Sequence, residues 1–516
     1  MMSSPSMTVC PMSPIGPGVC STGVSSPSTL FLADMAFHED HVSLWSALWE
    51  LVLMAVPNMM AFVASFAVNL ITFACLSARD EPKLLGAVGL GSLIGNIMGF
   101  AIGIGLTSVL DTLVSQAVGA RNHYLAIVHL NRARIISVLV SIPCCLLMWQ
   151  TEWMLVHLAQ DPETSALAAL FVQGTCWGLI PYFFCNALNS FMRCYGKTFP
   201  PMIINIVSSV FHFGITAYAI NYLDMGAYGA GLCISITYWL RWILTEISML
   251  YYAETRKAMK WTGQAWNVAG MVGYLVLAAN NSVLMLAEWF AYELQALIAG
   301  WTGTEGLAAH VAGANVVTAV FMGAIGISQS AATMVGIALG KERPHTAKSF
   351  AIVAMCGTAA LYTFIGLAII YARNGIATLI SSDPSVIETL HELLVVVGVF
   401  AVVDAVNGVG EGVLRGLAMQ GKAVVFKLTF MFAVRLPLGY YLSKSMGVSG
   451  IWVGSIVAMT LSCFALAWVM SRVNFKQCSI DAIARQTAEK KITASGLLAP
   501  LNETENPFTV ISPKKI

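Results

Sequence analysis

The chain has 516 residues, of which 57% are hydrophobic and only 10% are charged. Soluble globular proteins carry about 25% charged residues, so this composition excludes an ordinary soluble enzyme and indicates a protein of the lipid bilayer. The 27 Lys and Arg residues against 26 Asp and Glu residues give a formal net charge of +1. That balance excludes the broad basic surface with which proteins bind nucleic acid.

Twelve apolar segments are long enough to span a membrane, which takes about 20 mostly apolar residues. They lie near residues 47–76, 84–116, 135–156, 166–192, 201–221, 227–252, 269–299, 306–338, 349–371, 388–416, 424–443 and 448–471. The sequence therefore predicts an all-α integral membrane protein with twelve transmembrane helices and both termini on one side.

The basic residues between the spans predict the orientation of the chain. With a cytoplasmic N-terminus, the inside loops hold 14 Lys and Arg residues, among them Lys427, and the outside loops hold four. Because basic residues gather in cytoplasmic loops, both termini are predicted to be cytoplasmic. Residues 1–43, rich in Ser, Pro and Gly, and the polar residues 473–516 are predicted to be disordered tails.

The chain contains an internal repeat at an offset of 221 or 222 residues. Asp161-Pro162 falls on Asp383-Pro384, and Arg193 falls on Arg415. Four glycine pairs follow the same offset: Gly105 and Gly326, Gly119 and Gly340, Gly226 and Gly447, Gly229 and Gly450. So many matches at nearly one offset indicate a duplicated unit.

Each half of the repeat contains six spans, so both halves begin on the same side of the membrane. This parallel repeat predicts two six-helix bundles, 44–252 and 269–472, related by a pseudo-two-fold axis along the membrane normal. A basic cytoplasmic linker at 253–268 joins them. Two lobes of this kind are typical of transporters that rock around a central cleft, and no filter-like loop of a channel is present.

Two carboxylates in the seventh span are candidate binding residues. Glu288 and Glu293 are five residues apart and therefore about 140° apart around a helix. Trp289 and Tyr292 each lie four residues from one of them, so each carboxylate has an aromatic neighbour on its own face. A carboxylate beside an aromatic ring is suited to an organic cation. We predict that both carboxylates bind substrate or protons, against the alternative of structural carboxylates.

The tenth span carries Asp404, Glu411 and Arg415 on one face. The spacing of Glu411 and Arg415 predicts a structural ion pair. Asp404 is deeper and has no local cation, so we predict a functional role for it, since charges within a bilayer are costly. Asp111, in the second span, is predicted either to anchor that helix or to contact substrate.

Other polar residues carry no assigned chemistry. Arg241, Glu246 and Arg435 lie within spans and receive no role beyond partners on other helices. The twelve cysteines are predicted to be buried small hydrophobes and not a disulfide framework. The cluster His38-Glu39-Asp40-His41 is predicted to be solvated tail, and neither a metal nor a cofactor is expected.

These motifs resemble those of the multidrug and toxic compound extrusion (MATE) transporters, especially the eukaryotic branch. The resemblance covers about 45–470. It is carried by Leu110-Asp111-Thr112-Leu113, Gln160-Asp161-Pro162-Glu163, Glu288-Trp289 through Glu293, Val413-Leu414-Arg415-Gly416 and Gly450-Ile451-Trp452. It implies two six-helix bundles that export organic cations and xenobiotics in exchange for protons or sodium.

The resemblance also implies roles for individual residues. Carboxylates of the seventh and tenth helices couple transport to protons in eukaryotic members, and Glu288, Glu293 and Asp404 occupy those positions here. Some other members use a carboxylate in the first helix, where this chain has Asn69, a candidate substrate contact. The difference favours coupling in the second lobe.

Several alternatives remain at the level of sequence. Sodium-coupled efflux, or efflux of organic anions such as citrate or a conjugate, is compatible with the same fold, and a lipid-linked precursor flippase is the nearest relative of different function. A membrane enzyme is disfavoured because the nine histidines are dispersed and no nucleophile–base pair lies within the spans. The expected location is the plasma membrane or a vacuolar or other acidic-compartment membrane, and a monomer is expected.

Overall fold

The computed structural model describes residues 42–79, 81–381 and 383–495, without the side chains of 490–495. These residues contain no β-strand, and most belong to long helices. The twelve long helices of the two halves are α1 (Leu44–Ser77), α2 (Pro82–Gly119), α3 (His123–Trp149), α4 (Pro162–Cys176 and Leu179–Cys194), α5 (Phe199–Asn221), α6 (Gly226–Tyr251), α7 (Val268–Gly300), α8 (Thr304–Gly340), α9 (Pro344–Ile380), α10 (Pro384–Gly416), α11 (Gln420–Met446) and α12 (Val448–Arg472).

Among the described residues, ten helices are long and apolar enough to cross a membrane, and α4 makes eleven if its two parts, bent by 49°, count as one span. The remaining helix, α6, has 26 residues but is less apolar and carries Arg241 and Glu246. The prediction of twelve helices in two sets of six therefore agrees with the helices observed. We call α1–α6 the N-lobe and α7–α12 the C-lobe.

The repeated Asp-Pro pairs begin the fourth helix of each lobe. Asp161 accepts a hydrogen bond from the Thr164 backbone N–H at 3.0 Å, and Asp383 accepts one from the Ser385 N–H at 3.0 Å. Proline follows at the first helical position, where its missing N–H costs nothing. Hydrogen bonds from Thr164 and Ser385 hold the pKa values of the two carboxyls below their usual range. The repeat thus reflects a shared helix cap.

Two repeated glycine pairs show why the residue is needed. Gly226 and Gly447, where the sixth helix of each lobe begins, have φ angles of +56° and +58°, which side chains rarely adopt. Gly119 and Gly340 contact each other, because a Cβ on Gly119 would lie 3.0 Å from the Cα of Gly340. These equivalent glycines meet where α2 and α8 end, and they place the pseudo-two-fold axis between the lobes.

The lobes contact each other through matching helices. A Cβ on Gly105 of α2 would collide with the backbone of Ser282 on α7, and one on Gly326 of α8 would collide with Met59 of α1. The first part of α1, including Leu51, packs within the hydrophobic core of the C-lobe. The first part of α7, including Tyr274, packs within the N-lobe core.

The third helix begins earlier than the sequence predicted. It runs from His123 and not from 135, because its polar first half is helical and buried. Arg134 pairs with Glu246 of α6 at 2.9 Å, and Trp242 also donates to that carboxylate. Hydropathy alone left this segment out of the predicted span, because it counts the charge of Arg134 but not Glu246, the partner on another helix that offsets it. The contact also gives Glu246 a structural role.

A thirteenth helix, α13 (Phe475–Ser495), lies in the segment that was predicted to be a disordered tail. Ser479 donates to the Leu339 carbonyl at 3.0 Å, and Gln486 donates to the Gln116 carbonyl at 2.8 Å. The prediction of disorder is therefore wrong for 475–495, because polar residues of α13 meet buried polar groups at the ends of α2 and α8. We call the end of the bundle that carries α13 the termini side. Residues 1–41, with the His38–His41 cluster, and 496–516 lie outside the described residues.

Replacing Glu489 with Gln is expected to detach α13 from the N-lobe. Both Glu489 oxygens accept from Nη1 of Arg132, at 2.9 and 3.0 Å, and Arg132 is 1% exposed. Hydrogen bonds between charged groups contribute about 1.5–3 kcal/mol, so amide exchange in α13 should accelerate roughly 10- to 100-fold. Hydrogen exchange measured by mass spectrometry tests this. The exposed Asp481, replaced with Asn, is the control on the same helix, and equal exchange rates in both variants would contradict the prediction.

Candidate functional site

A buried lysine joins two carboxylates at the centre of the C-lobe. Nζ of Lys427 on α11 lies 2.8 Å from Glu288 of α7 and 2.9 Å from Glu411 of α10. All three side chains are at most 7% exposed. Lys427 was wrongly counted among the loop residues, although the predicted span 424–443 already contains it. The structure includes it in α11, which begins at Gln420, because the two carboxylates offset the cost of burying its charge.

Asp404 lies beside this group, on the same helix as Glu411. It is 3% exposed, and the charges of Glu288, Glu411, Lys427 and Arg435 act on it. Within the described part of the chain, Asp404 forms no hydrogen bond and no ion pair. The structure therefore brings Glu288 and Asp404 together. The predicted ion pair between Glu411 and Arg415 is not formed, because Glu411 pairs with Lys427 instead.

Arg435 is the second cation of this group. It donates to the side chain of Gln295 and, at 3.1 Å, to Ser455. Its guanidinium lies 4.2 Å from the ring centroid of Tyr292, so this aromatic face already holds a cation of the protein. A π-helical segment of α11, Thr429–Arg435, begins just after Lys427 and ends at Arg435. We call Glu288, Asp404, Glu411, Lys427 and Arg435 the C-lobe charge cluster.

Glu293 lies apart from the cluster. Its side chain is half-buried, as is that of Trp289. No hydrogen bond or ion pair to Glu293 forms among the residues that the structure describes. Its position one turn and a half from Glu288 agrees with the 140° separation expected from the sequence. Of the three carboxylates predicted to be functional, Glu288 forms an ion pair, whereas Glu293 and Asp404 form none with the described residues.

Asp111 connects the lobes at the termini side. It is 0% exposed, accepts from Arg193 at 2.5 Å and from the Ser190 hydroxyl, and lies 3.7 Å from Arg415 of the C-lobe. Next to it, Thr112 donates to the Arg415 carbonyl at 2.7 Å. Of the two predictions for Asp111, this geometry favours the anchor. Arg193 and Arg415, matched by the repeat, thus meet at one carboxylate.

A cavity with several polar side chains in its lining lies in the N-lobe and reaches Gln329 of α8. Its lining contains five side-chain amides: Asn58, Asn186, Asn189, Asn205 and Gln329. Arg193 and Arg241 also line it, whereas no Asp or Glu of the described residues does. The candidate contact Asn69 is half-buried and is not part of this lining.

The sequence analysis missed both Lys427 and the amide-lined cavity. The signal for the cavity was visible, because four of its asparagines lie within apolar spans, where polar groups need partners. For Lys427 the signal was also visible, because it lies within the predicted span 424–443, where a charged residue needs a partner. The ten described cysteines are all free, and six of them are buried.

Comparisons with known proteins agree with this architecture. A family model described as MatE matches residues 57–218 and 282–441, once in each lobe. The chain belongs to the MatE family. This confirms the resemblance found in the sequence, and the protein is an integral, multi-pass membrane protein.

The relatives of this MatE protein include animal and plant proteins. Multidrug and toxin extrusion protein 1 of Xenopus tropicalis is 25% identical over 87% of this chain and 79% of its own length. Multidrug and toxin extrusion protein 2 of Mus musculus is 26% identical over 90% of this chain and 81% of its own. Protein DETOXIFICATION 16 of Arabidopsis thaliana is 25% identical over 76% of this chain and 82% of its own.

Solved structures support the fold. The crystal structure of the eukaryotic MATE transporter AtDTX14 superposes with a TM-score of 0.80 at 20% identity, over 87% of this chain and 99% of that chain. A crystal structure of MATE in the straight conformation gives a TM-score of 0.74 at 16% identity, over 90% and 100% of the two chains. The prediction of twelve transmembrane helices in two six-helix bundles is therefore confirmed.

Proposed function

We propose that this protein is a multidrug efflux transporter that exports organic cations in exchange for protons by alternating access. The observation that carries the proposal is Asp404, a carboxylate buried in the C-lobe charge cluster without a hydrogen-bond or ion-pair partner among the described residues. The names of the relatives, multidrug and toxin extrusion proteins, agree with this function. The proposed location, a plasma or acidic-compartment membrane with cytoplasmic termini, follows from the basic residues of the loops.

The charges of the cluster explain an exchange of one cation for one proton. Three carboxylates, Glu288, Asp404 and Glu411, face two cations, Lys427 and Arg435. With all five groups ionised, one negative charge is left in surroundings of low dielectric, where an uncompensated charge is costly. Either a proton or a substrate cation removes that cost. Binding of one therefore expels the other, and Asp404 is the group that changes partner.

Glu293 has a different part in this scheme. It is half-buried and lies apart from the five charges, on the next face of α7. A carboxylate there attracts the substrate cation without competing directly for Lys427, and Trp289 adds an aromatic surface. Glu288, held by Lys427, keeps that lysine away from Asp404. The three carboxylates predicted from the sequence thus receive three separate roles.

Alternating access requires the lobes to separate at one end while they meet at the other. The contacts on the termini side, between Gly119 and Gly340 and around Asp111, are the ones that must break when that end opens. Because Asp111 binds Arg193 more closely than Arg415, the charge stays compensated within the N-lobe when the lobes part. Arg415 loses its contact with Asp111 when the lobes part and regains it when they close.

Transport by purified protein in liposomes tests the proposal. We expect a pH gradient without a sodium gradient to drive uptake of a fluorescent organic cation. Asp404→Asn should abolish this uptake, and Glu288→Gln and Glu293→Gln should reduce it at least about 10-fold, since each removes a charge that the exchange uses. Glu152→Gln is the matched control, because Glu152 is an exposed glutamate that follows the end of α3. Folding of each variant is checked by its thermal unfolding midpoint.

Two results would contradict proton-coupled cation export. One is uptake that none of the three substitutions affects. The other is uptake that depends on a sodium gradient and is indifferent to pH, which would establish sodium coupling on the same fold. Transport of organic anions alone would instead support the anion efflux considered from the sequence.

A further inference from the structure

The N-lobe cavity contains a buried cation, Arg241, that forms no ion pair with a described carboxylate. Its guanidinium lies 5.8 Å from the ring centroid of Tyr238. Arg241 of α6 is 2% exposed and lines the cavity. It donates to the hydroxyls of Ser65, at 2.9 Å, and Ser209, at 3.1 Å, while its Nε has no partner. In the part of the chain that the structure describes, no carboxylate forms an ion pair with it. Glu246, five residues later, is held by Arg134.

The other arginine of the cavity differs in this respect. Arg193 is paired with Asp111 at 2.5 Å, a carboxylate that also lies 3.7 Å from Arg415, so Arg193 has an anionic partner within the protein. The lining of the cavity therefore carries one unbalanced positive charge, at Arg241, and no described Asp or Glu. A buried guanidinium usually has an anionic partner, because burial without one costs several kcal/mol. The partner missing here is expected to come from a ligand.

We propose that the N-lobe cavity binds the carboxylate or another anionic group of an organic substrate, with Arg241 as its ion-pair partner. Asn186 and Asn189 line the cavity beside Arg241, and their side-chain amide N–H groups can donate hydrogen bonds to an anion. The rings of Tyr182 and Tyr238, whose centroids lie 4.8 Å apart, provide an apolar wall for the body of the ligand.

This proposal extends the proposed function, on which it rests for the idea that the ligand is transported. The C-lobe charge cluster has one negative charge in excess, and the N-lobe cavity has one positive charge in excess. A zwitterionic compound carries a group of opposite charge for each of these two sites, whereas a simple cation carries one for the C-lobe charge cluster only. The preferred substrates are therefore organic zwitterions and organic acids that carry an aromatic body.

The first test measures whether the cavity binds an organic anion. Purified full-length protein in detergent is heated with benzoate, with the uncharged benzamide, or with chloride at equal concentration. Benzoate should raise the thermal unfolding midpoint of the parent, and benzamide should not. Arg241→Gln should lose this effect, Arg241→Lys should retain part of it, and Arg472→Gln, an exposed arginine at the end of α12, should retain all of it. An equal effect of benzamide, or of chloride, would overturn the proposal.

The second test compares two dyes that differ only in charge. One is a rhodamine with a free benzoic acid group, which is zwitterionic, and the other is its methyl ester, which is cationic. The parent should bind the free acid at least about 10-fold more tightly than the ester, and Arg241→Gln should reduce this preference to about 2-fold or less. An undiminished preference in Arg241→Gln would overturn the role of Arg241.

The two proposals fail in different ways. Absence of pH-driven transport of the ester, with the benzoate effect intact, would contradict proton-coupled cation export and leave the anion site established. Transport of the ester without any benzoate effect in the parent would contradict the anion site alone. The variant Arg241→Gln is expected to fold, because it removes an uncompensated buried charge and keeps a hydrogen-bonding side chain.

Discussion

Replacing Lys427 with Met is expected to lower the free energy of unfolding by about 3–5 kcal/mol. Lys427 is the only described cation in ion-pair contact with Glu288 and Glu411, and all three side chains are buried. Methionine has a similar length but no charge, so two carboxylates are left facing each other in surroundings of low dielectric. Removal of one partner of a buried ion pair costs more than the pair itself contributes, because the remaining charge stays buried. Thermal or denaturant unfolding of the purified protein measures the change.

Two further variants separate the lost charge from the lost side chain. Lys422→Met makes the same change at an exposed lysine at the start of α11 and is expected to leave the stability unchanged within error. Adding Glu288→Gln and Glu411→Gln to Lys427→Met should restore most of the stability, since the whole group is then neutral. A triple variant as unstable as Lys427→Met would show that the cost comes from packing and would contradict this account of the cluster.

Replacing Asp111 with Asn is expected to lower the free energy of unfolding by about 3–5 kcal/mol as well. Asp111 is fully buried, binds Arg193 at 2.5 Å and lies 3.7 Å from Arg415. Asparagine has the same shape but leaves both guanidinium groups without a carboxylate. The loss should also weaken the contact between the lobes at the termini side. Faster hydrogen exchange where α2 and α8 end would report that the lobes separate there more often.

An exposed ion pair provides the control for Asp111. Asp224 also contacts an arginine, Arg79, at 2.6 Å, but its side chain is 78% exposed. Asp224→Asn makes the same chemical change and is expected to leave the unfolding midpoint unchanged, because water already screens that pair. If the two variants were equally stable, burial at the lobe interface would not be what makes Asp111 important.

Much of the architecture was predictable because the signals are local. The apolar length of a span, the caps at Asp161 and Asp383 and the offset between the halves are all written along the chain, and each depends on residues close in sequence. The same holds for the carboxylates Glu288, Glu293 and Asp404. Their presence in apolar helices can be read directly from the sequence. Because a charge within a bilayer is costly, each of them is a candidate functional residue.

The partners of those charges were not predictable, because they lie on other helices. Glu411 was matched with Arg415 by its spacing on one helix, yet it pairs with Lys427 of α11. The polar sequence of α13 reads as a tail, yet Glu489 reaches Arg132, which lies 357 residues earlier in the chain. Spacing along one helix predicts only partners that are close in sequence. In the low dielectric of the interior, the strongest electrostatic interaction is with the opposite charge that the fold brings closest, whichever helix carries it.

The sequence by itself determined that this protein has twelve membrane helices and two equivalent lobes, and it identified three intramembrane carboxylates as candidates for a functional role. Only the tertiary structure decided that Glu288 is neutralised while Asp404 is not, and that Arg241 faces a cavity without a counter-charge. The physical reason is that the cost of a buried charge depends on its distance to the nearest opposite charge. That distance is set by the packing of helices from both halves of the chain.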